Sequence, residues 1–280
     1  MKVKEVMTEN PIVAELPGTR SEVLKKLVKN NKTGLPVVKS DDGTLVGFVT
    51  RQDIFAKPDE EQLALVMRRD VPTIGPNASV KDAARQMVER NLAHLSVVDK
   101  NKLVGILTPT DLLIVVEKDN PQISVEDIVR SPCIPIYYKA PLTIALATFR
   151  AARVFALPVL DDDAKLVGII TDRDLFNQTI VDNSVVMSDL GISDDEDNWT
   201  WEGLRNVMKL WYEVSRVDLP RIAVKDIMVL NPMTVFRKTL VGDAARIMRK
   251  HDFGQLPVRD SKDNLVAMIY DLDVVSTLTK

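Results

Sequence analysis

Hydrophobic and polar positions along the chain follow one pattern that recurs four times. Each copy contains an amphipathic stretch with apolar residues at three- and four-residue steps, as at Ala83, Ala84 and Met87, followed by two short apolar runs around a polar turn. The helical steps predict an amphipathic helix. The paired apolar runs around a turn such as residues 40–43 predict a β-hairpin. Each copy therefore predicts strand, helix, strand, turn, strand and helix, in that order.

The second apolar run of every copy ends in a similar polar signature. Each copy also opens with a short apolar and charged segment that a proline follows, at Pro11, Pro72, Pro132 and Pro232. Because both features coincide in four places, the chain contains an internal repeat. The signatures read LPVVKSDDGTLVGFVTRQD at residues 35–53, LSVVDKNKLVGILTPTD at 95–111, LPVLDDDAKLVGIITDRD at 157–174 and LPVRDSKDNLVAMIYDLD at 256–273.

An insert of residues 177–222 separates the fourth copy from the third. Its first part is acidic at residues 193–197, and its second part carries apolar residues at helical steps, which predicts a helix. Its aromatic side chains either pack on their own domain or anchor an interface with a partner protein. Both interpretations stay open. The residues concerned are Trp199, Trp201, Leu204, Met208, Trp211 and Tyr212.

A single repeat of about 55 residues cannot bury enough apolar surface to be stable alone. We therefore expect the first repeat to pair with the second and the third with the fourth. The predicted fold class is α/β (α+β), with four β-α-β repeats paired into two modules. The predicted modules are residues 1–118, with repeats at 2–55 and 64–113, and residues 119–280, with repeats at 124–176 and 223–276.

Composition limits the partners that we expect. Apolar residues make up 45% of the 280 positions, and the net charge is -3 without a long basic run. That balance is typical of a globular protein that does not bind nucleic acid. The single cysteine, Cys133, cannot form an internal disulfide, which favours a reducing compartment. No apolar run approaches the ~18 residues needed to span a bilayer, so we expect a cytoplasmic protein that makes no contact with membranes.

The residues of a catalytic centre cannot be assembled from the sequence. His94 and His251 have no metal-ligand spacing with Cys133, so we expect no metal. The glycines form neither a Gly-x-Gly pair nor a Gly-x-x-x-x-Gly-Lys loop. We therefore expect a protein that is not an enzyme and that carries no catalytic cofactor.

The signature itself resembles a known family. A Gly, a hydrophobic run and Thr-x-x-Asp after an LPVVD-like strand resemble the cystathionine-β-synthase (CBS) domain, and the three matching copies have one fewer apolar residue than the three in that pattern. The resemblance implies that two repeats form a Bateman module, a pair that commonly binds adenosine-containing ligands. A chain of four such repeats resembles the γ regulatory subunit of AMP-activated protein kinase and its archaeal stand-alone relatives. The matching segments are residues 47–53, 105–111 and 168–174.

The threonine and aspartate of each signature suit a nucleotide. A strand that ends in Thr and enters a helix presents free backbone N–H groups to a phosphate. An aspartate one turn later can accept hydrogen bonds from both ribose hydroxyls, and a glycine such as Gly47 lets backbone approach closely. The candidate pairs are Thr50 and Asp53, Thr108 and Asp111, and Thr171 and Asp174.

The fourth signature differs, and the whole pattern has a second interpretation. Ala267 and Tyr270 replace the Gly and the Thr, so Tyr270 would fill the space of a phosphate or ribose beside Asp273. We thus expect three well-formed sites and one altered site. Thr-x-x-Asp is also the pattern of a helix capping box, and Pro109 suits the first position of such a helix. The two roles are compatible.

Phosphates require cations, and several residues could supply them. The resemblance places a basic residue just before the LPVV-like strand, where His94 stands; Gly34, Ala156 and Gln255 occupy that place in the other copies. As a phosphate ligand His94 would make a pH-sensitive contact, but it is equally a half-buried strand histidine. Each arginine is equally a solvated surface charge. The further candidates are Arg51, Arg68, Arg69, Arg130 and Arg173.

We therefore predict reversible binding of AMP, ADP or ATP in clefts between repeats, which reports the energy state of the cell to a partner protein. Two alternatives stay open. The ligand is S-adenosylmethionine or another adenosyl compound, or the clefts are empty and the chain is an interaction scaffold. The identity of the regulated partner and the formation of a homodimer are not encoded in any pattern that we recognise.

Overall fold

The computed structural model describes the chain except for residues 31, 58–59, 153, 172, 176–221 and 280. The described part contains four β-α-β repeats in a mixed α/β fold, with each hairpin in the predicted place. The predicted repeat and fold class are therefore confirmed. The predicted helix and aromatic residues of the insert lie outside the described residues.

The first two repeats share one order of elements. A short helical turn opens each repeat, a strand and a long helix follow, and a hairpin leads into a second helix. In the first repeat the elements are a 3-10 turn Val3–Glu5, β1 Thr8–Glu9, β2 Ala14–Leu16, α1 Arg20–Lys29, β3 Gly34–Lys39, β4 Leu45–Thr50 and α2 Arg51–Ala56. In the second they are α3 Leu63–Val66, β5 Thr73–Ile74, α4 Val80–Arg90, β6 Leu95–Asp99, β7 Lys102–Leu107 and α5 Pro109–Asp119.

The last two repeats reproduce this order. The third contains a 3-10 turn Val125–Asp127, β8 Ile136–Tyr137, α6 Leu142–Ala152, β9 Ala156–Leu160 and β10 Leu166–Thr171. The fourth contains a 3-10 turn Val224–Asp226, β11 Val229–Leu230, β12 Val235–Phe236, α7 Val241–His251, β13 Gln255–Arg259, β14 Leu265–Tyr270, α8 Asp271–Val275 and a final 3-10 turn Ser276–Thr279.

Strand pairing within a repeat follows from its connections. Strand β2 pairs with β3 in parallel, in the register Ala14 to Val37, because helix α1 carries the chain back to the same end of the sheet. Strands β3 and β4 pair antiparallel through their short turn, with a bulge between Val37 and Val38. The second repeat shows the same parallel pair, hairpin and bulge. The strand–helix junction at the end of each hairpin therefore recurs at the same place relative to the sheet of its repeat.

The opening segment of a repeat leaves its own sheet and joins the sheet of its partner. Strand β1 of the first repeat pairs antiparallel with β7 of the second, Thr8 opposite Ile106. In return, Arg68 of the second repeat bridges Phe48 in β4 of the first. Strand β11 of the fourth repeat likewise pairs with β10 of the third. The expected pairing of repeats is confirmed, and the exchange of opening segments that joins them was not predicted.

The exchanged segments also form part of the hydrophobic core. In the first repeat, Val37 of β3 and Val49 of β4 face the apolar side of α1, and Leu63 and Met67 from the opening of the second repeat complete that cluster. Leu63 is fully buried. Removing a side chain of that size from water contributes about 1.5–3 kcal/mol. Burial of the opening segment therefore holds the two repeats together.

The described residues divide into two compact units. The first consists of residues 1–130, 238–254 and 270–280, and the second of the described residues of 131–237 and 255–269. In the first unit helix α7 packs on α5, and α8 packs on α4 and α5. Since these units divide the fourth repeat, they do not test the module boundary between residues 118 and 119, which stays a prediction. Within the described residues no helix is long and apolar enough to cross a bilayer.

Candidate functional site

Each predicted Thr–Asp pair lies at the junction where a hairpin strand enters a helix. At the first junction the backbone N–H of Thr50 donates to Asp53 Oδ2 at 2.9 Å and the Thr50 hydroxyl donates to the same oxygen at 2.6 Å. The N–H of Asp53 donates back to Thr50 Oγ1 at 3.2 Å. This is a capping box, which satisfies N–H groups that a helix start leaves without partners.

The same geometry recurs at the second and third junctions. Asp111 Oδ2 accepts from the N–H of Thr108 at 2.7 Å and from its hydroxyl at 2.8 Å. Asp174 Oδ2 accepts from the N–H and hydroxyl of Thr171 at 2.8 and 2.7 Å. The capping interpretation is therefore confirmed at all three junctions. In each case the cap occupies one carboxylate oxygen, Oδ2, so that the other, Oδ1, is the oxygen that distinguishes the junctions.

The opening segment of the partner repeat supplies the residue nearest to that second oxygen. The Arg68 side chain donates from Nε to Asp53 Oδ1 at 2.6 Å, whereas Thr8 donates to Asp111 Oδ1 at 3.5 Å. Thr8 and Arg68 occupy the same position of the repeat, directly after Met7 and Met67. One junction therefore holds Oδ1 of its aspartate in an ion pair, and the other leaves Oδ1 of Asp111 with a single long hydrogen bond.

The signature glycines are explained by the same exchange of segments. A Cβ on Gly47 would lie 2.3 Å from the carbonyl oxygen of Arg68, and a Cβ on Gly105 would lie 2.6 Å from Sδ of Met7. A Cβ on Gly168 would lie 2.5 Å from Sδ of Met228. The close approach that we expected at these glycines is therefore made by the protein itself, since the opening segment of the partner repeat packs directly on them.

The fourth junction is the most buried. Tyr270 replaces the threonine, and its N–H donates to Asp273 Oδ2 at 3.0 Å. Asp273 is only 5% exposed. This burial raises the pKa of the Asp273 carboxyl, whereas a hydrogen bond from the backbone N–H of Arg130 and the positive charge of Arg130 act in the opposite direction. Arg130 occupies the same position in its repeat as Arg68 in the second.

His94 does not supply a positive charge at neutral pH. Its Nε2 lies 3.0 Å from Thr33 Oγ1 and its ring centroid 5.0 Å from that of Phe48, both in the first repeat. Burial and, to a smaller degree, the charge of Lys32 lower the pKa of His94 to about 4. The imidazole is therefore neutral near pH 7, which agrees with the half-buried histidine and not with a pH-sensitive phosphate contact near neutrality.

Lys32 is a candidate cation that our sequence analysis missed. It lies exposed in the loop between α1 and β3 of the first repeat. Burial raises the pKa of Asp111, and the charge of Lys32 is among the influences that oppose this rise, after the hydrogen bonds from Thr108 and Thr8. Thr33, the residue after Lys32, has its Oγ1 3.0 Å from His94 Nε2. His94 precedes strand β6, whose Leu95 pairs with Leu107 directly before Thr108. The lysine is therefore near both His94 and Asp111. A sequence signal exists, because the equivalent positions of the other repeats carry no charge: Leu92, Val154 and Phe253.

Comparison with known proteins identifies the repeat. The sequence profile of the CBS domain matches residues 3–60, 62–118, 125–179 and 224–280. The chain belongs to the CBS domain family. The four matches coincide with the four repeats that the hydrophobic pattern predicts.

Similar chains are found in archaea. Protein MJ1225 of Methanocaldococcus jannaschii is 28% identical over 191 residues, which cover 62% of this chain and 68% of the relative. The crystal structure of MJ1225 superposes with a TM-score of 0.76 over 99% of both chains at 20% identity, a likeness of fold alone. A crystal structure of a Pyrococcus horikoshii protein superposes with a TM-score of 0.68 at 26% identity and covers 99% of this chain and 100% of that one.

The remaining predicted cations differ in their burial and in the groups that they contact. Arg51 is buried at the first position of helix α2, and its N–H donates to the carbonyl of Thr33 at 3.1 Å. Arg173 is half-buried next to Asp174. Arg69 is exposed and donates to the carbonyl of Ala64 at 3.2 Å, within its own opening segment. The structure thus brings Arg68 and Arg130 to an aspartate and directs Arg69 elsewhere.

Cys133 and the metal-ligand types add no further site to these CBS repeats. Cys133 is a half-buried free thiol, and burial raises its pKa, which disfavours the reactive thiolate. Among the described residues, no group of three or more His, Cys, Asp or Glu side chains could hold a metal ion. In the part of the chain that the structure describes, the candidate site is therefore formed by the four junctions and the charges around them.

Proposed function

We propose that this CBS protein binds adenine nucleotides (AMP, ADP or ATP) reversibly at its strand–helix junctions and acts as a regulatory sensor, not as an enzyme. The observation that carries the proposal is that the two oxygens of the Asp111 carboxylate have different partners. Oδ2 of Asp111 caps its helix, and Oδ1 has only a 3.5 Å contact with Thr8. A carboxylate held in place by a cap, with one oxygen available, suits a ribose hydroxyl.

The energetics of such a site agree with a metabolite sensor. A hydrogen bond to an ionised carboxylate contributes about 1.5–3 kcal/mol. The N–H groups at the start of helix α5 favour an anion such as phosphate, and the apolar strand β6 offers the half-buried side chain of Val98 to a flat base. Micromolar affinity, which corresponds to about -8 kcal/mol, would suit a metabolite sensor.

The exchange of opening segments suggests how binding would be transmitted. A ligand on Asp111 would contact the second repeat and, through Thr8, the opening segment of the first. Such a ligand favours the arrangement of repeats in which both contacts are made, and it shifts the population toward that arrangement. A partner protein that recognises one arrangement would then respond to the ligand concentration.

A second candidate ligand is favoured by the state of two predicted phosphate contacts. His94 is neutral near pH 7, and Arg68 is already paired with Asp53. S-adenosylmethionine or another adenosyl compound needs the ribose contact but no phosphate contact. An interaction scaffold without any ligand is the third outcome to be tested.

Isothermal titration of the full chain with AMP, ADP, ATP and S-adenosylmethionine tests the proposal. We expect micromolar binding of at least one adenine nucleotide, with recovery of the nucleotide unchanged. Asp111→Ala should weaken that binding by about tenfold or more, since 1.4 kcal/mol corresponds to tenfold. Asp82→Ala is the matched control, because Asp82 forms a similar cap with Ser79 at the start of α4, a helix that does not follow a hairpin.

Each outcome of the titration has a clear meaning. Binding of S-adenosylmethionine alone would replace the nucleotide proposal with the second candidate. Binding of no adenosyl compound would support the scaffold. An equal loss of affinity in Asp82→Ala and Asp111→Ala would show that the effect arises from helix stability, and the aspartate would no longer be a candidate ligand.

A further inference from the structure

The first pair of repeats contains two junctions with the same caps and different surroundings. We call the Asp53 junction the set Thr50, Asp53 and Arg68, and the Asp111 junction the set Thr108, Asp111, Thr8 and Lys32. Both aspartates use Oδ2 for the cap. The two junctions differ in the side chain that contacts Oδ1 of the aspartate and in the position of the nearby positive charge.

At the Asp53 junction the protein itself occupies the site of a ribose. Arg68 Nε lies 2.6 Å from Asp53 Oδ1 while the Thr50 hydroxyl lies 2.6 Å from Oδ2, so both oxygens are engaged. The aspartate side chain is only 13% exposed. A ribose hydroxyl would have to displace a charged donor from a carboxylate, and a charged donor forms the stronger hydrogen bond of the two.

At the Asp111 junction the same positions are arranged differently. Thr8 replaces the arginine and lies 3.5 Å from Asp111 Oδ1. The positive charge comes instead from Lys32, which is exposed and directly precedes Thr33, whose Oγ1 lies 3.0 Å from His94 Nε2. His94 precedes strand β6, which pairs with the strand β7 that leads into this junction. The charge of Lys32 accordingly opposes the rise in the pKa of Asp111. Lys32 forms no salt bridge with another described residue. This junction therefore presents a carboxylate oxygen and a separate cation.

We propose that the Asp111 junction is the nucleotide site of the first pair, with Lys32 as its phosphate contact, and that Arg68 closes the Asp53 junction. The ligand class is a nucleoside 5′-phosphate, since a carboxylate and a lysine match a ribose and a phosphate that are joined by one carbon. The inference rests on the proposed function and assigns that function to one of two similar junctions. It differs from the initial expectation, in which Asp53 and Asp111 were equal sites and Arg68 contacted phosphate.

Reciprocal exchange of the two equivalent residues tests the closing role of Arg68. Thr8→Arg should place an arginine beside Asp111 and weaken AMP binding at that junction by about tenfold. Arg68→Thr should release Asp53 and add a binding event to the titration of the full chain with AMP. Arg69→Thr is the matched control, because it removes a neighbouring exposed arginine without a contact to either aspartate.

The role of Lys32 is tested with two probes that differ only in the phosphate. Lys32→Met should weaken AMP binding by about tenfold and leave adenosine binding within about twofold of the wild type. Lys29→Met, at another exposed lysine of the same repeat, should change neither. Since Lys32 is exposed, this variant is expected to fold, and it keeps the test decisive if Thr8→Arg does not fold.

The results separate the inference from the proposed function. If the wild type binds AMP, Lys32→Met has no effect and Arg68→Thr weakens binding, Arg68 is the phosphate ligand and the inference is overturned while the proposed function stands. If the wild type binds neither AMP nor adenosine, both fall. A loss of AMP affinity in Lys32→Met together with an additional site in Arg68→Thr supports the inference.

Discussion

The Asp53 and Asp111 junctions differ less in backbone than in the side chains that the partner repeat contributes. Both have a capping box with the same donors and distances within a few tenths of an ångström. One receives a guanidinium on its aspartate, and the other receives a threonine hydroxyl at 3.5 Å. The comparison teaches that the repeat preserves the backbone and the capping box. The exchanged opening segment determines whether the second carboxylate oxygen of the aspartate already has a charged partner.

The second pair of repeats carries a similar difference. Position by position, Arg130 of the third repeat corresponds to Arg68, and Asp273 accepts a hydrogen bond from the backbone of Arg130. The corresponding residue of the fourth repeat is Val229, whose strand β11 pairs with the strand that ends at Thr171. Valine cannot bind a carboxylate. In each pair, therefore, one opening segment brings an arginine to an aspartate and the other carries an uncharged residue at the same position.

The largest expected effect concerns the glycines on which the opening segments pack. Gly47→Ala should lower the free energy of unfolding by about 3 kcal/mol, because the new methyl group would meet the backbone of Arg68, which cannot move aside easily. Gly105→Ala should cost about 1 kcal/mol, because its nearest neighbour is the flexible Met7 side chain. Urea denaturation followed by circular dichroism measures both values.

Gly75→Ala is the control for the two glycine variants, because no atom lies within 4 Å of a Cβ at that position. We expect that variant to have nearly wild-type stability. Equal losses at Gly47 and Gly105 would mean that the two opening segments pack with the same tolerance, and the proposed difference between a backbone neighbour and a side-chain neighbour would be wrong.

Asp271, beside the buried Asp273, extends the comparison to a junction with two carboxyls. Burial, and to a smaller degree the charge of Asp273, raises the pKa of Asp271 to about 7; a hydrogen bond from the N–H of Leu272 opposes the rise. Because the folded-state pKa exceeds the unfolded value, the stability contributed by protonated Asp271 is present below about pH 4 and is lost as the pH rises through about 7. Asp271→Asn should therefore stabilise the protein by about 2 kcal/mol at pH 8.

Thermal unfolding of Asp271→Asn and the wild type at pH 5 and pH 8 measures this difference. The stabilisation should be larger at pH 8 than at pH 5. An Asn variant that is less stable than the wild type at pH 8 would show that the ionised carboxylate is well accommodated. Asp260→Asn, at an exposed turn aspartate whose pKa is lowered by its hydrogen bonds to Asn264, should have the opposite sign.

A smaller effect is expected from His94, which lies on the Asp111 side of the comparison. Its folded-state pKa of about 4 is below the unfolded value of 6.5, so the unfolded chain binds the proton more readily between these values. Stability should fall by about 1.5 kcal/mol as the pH decreases from 6.5 to 4. His94→Asn should remove this slope. His251→Asn, at the other histidine, should retain it, and identical slopes in both variants would contradict the assignment.

Sequence alone predicted the features that depend on local chemistry. The four hairpins follow from alternating apolar runs around polar turns, and the caps follow from Thr and Asp three residues apart, as at Thr108 and Asp111. Pro109 occupies the first turn of helix α5 as expected. These features involve residues close in sequence, so their geometry is determined by the conformational preferences of a single short segment.

The features that sequence missed depend on contacts between repeats. Lys32 is far from Asp111 in the chain, and Arg68 meets Asp53 only because the opening segment of the second repeat joins the sheet of the first. An exposed arginine or lysine has no pattern that identifies its partner. Position-by-position comparison of the repeats would have shown that Thr8 and Arg68 differ, but the carboxylate that each one meets required the structure.

The smallest expected effect is the energetic coupling that separates the two junctions. A double-mutant cycle of Asp53→Ala and Arg68→Ala isolates the coupling of the ion pair from the loss of the cap, because Asp53→Ala removes the cap whether or not Arg68 is present. Because the Arg68 side chain is 59% exposed, solvent screens the pair, and we expect a coupling of about 0.5 kcal/mol. The equivalent cycle of Asp111→Ala and Thr8→Ala should give a value near zero, since 3.5 Å is a long hydrogen bond.

Both cycles are measured by urea denaturation at low and high salt, and only the coupling between Asp53 and Arg68 should weaken with salt. Equal couplings, or a salt-independent value for Asp53 and Arg68, would show that the arginine does not hold the aspartate in solution, and the two junctions would then have to be treated as equivalent.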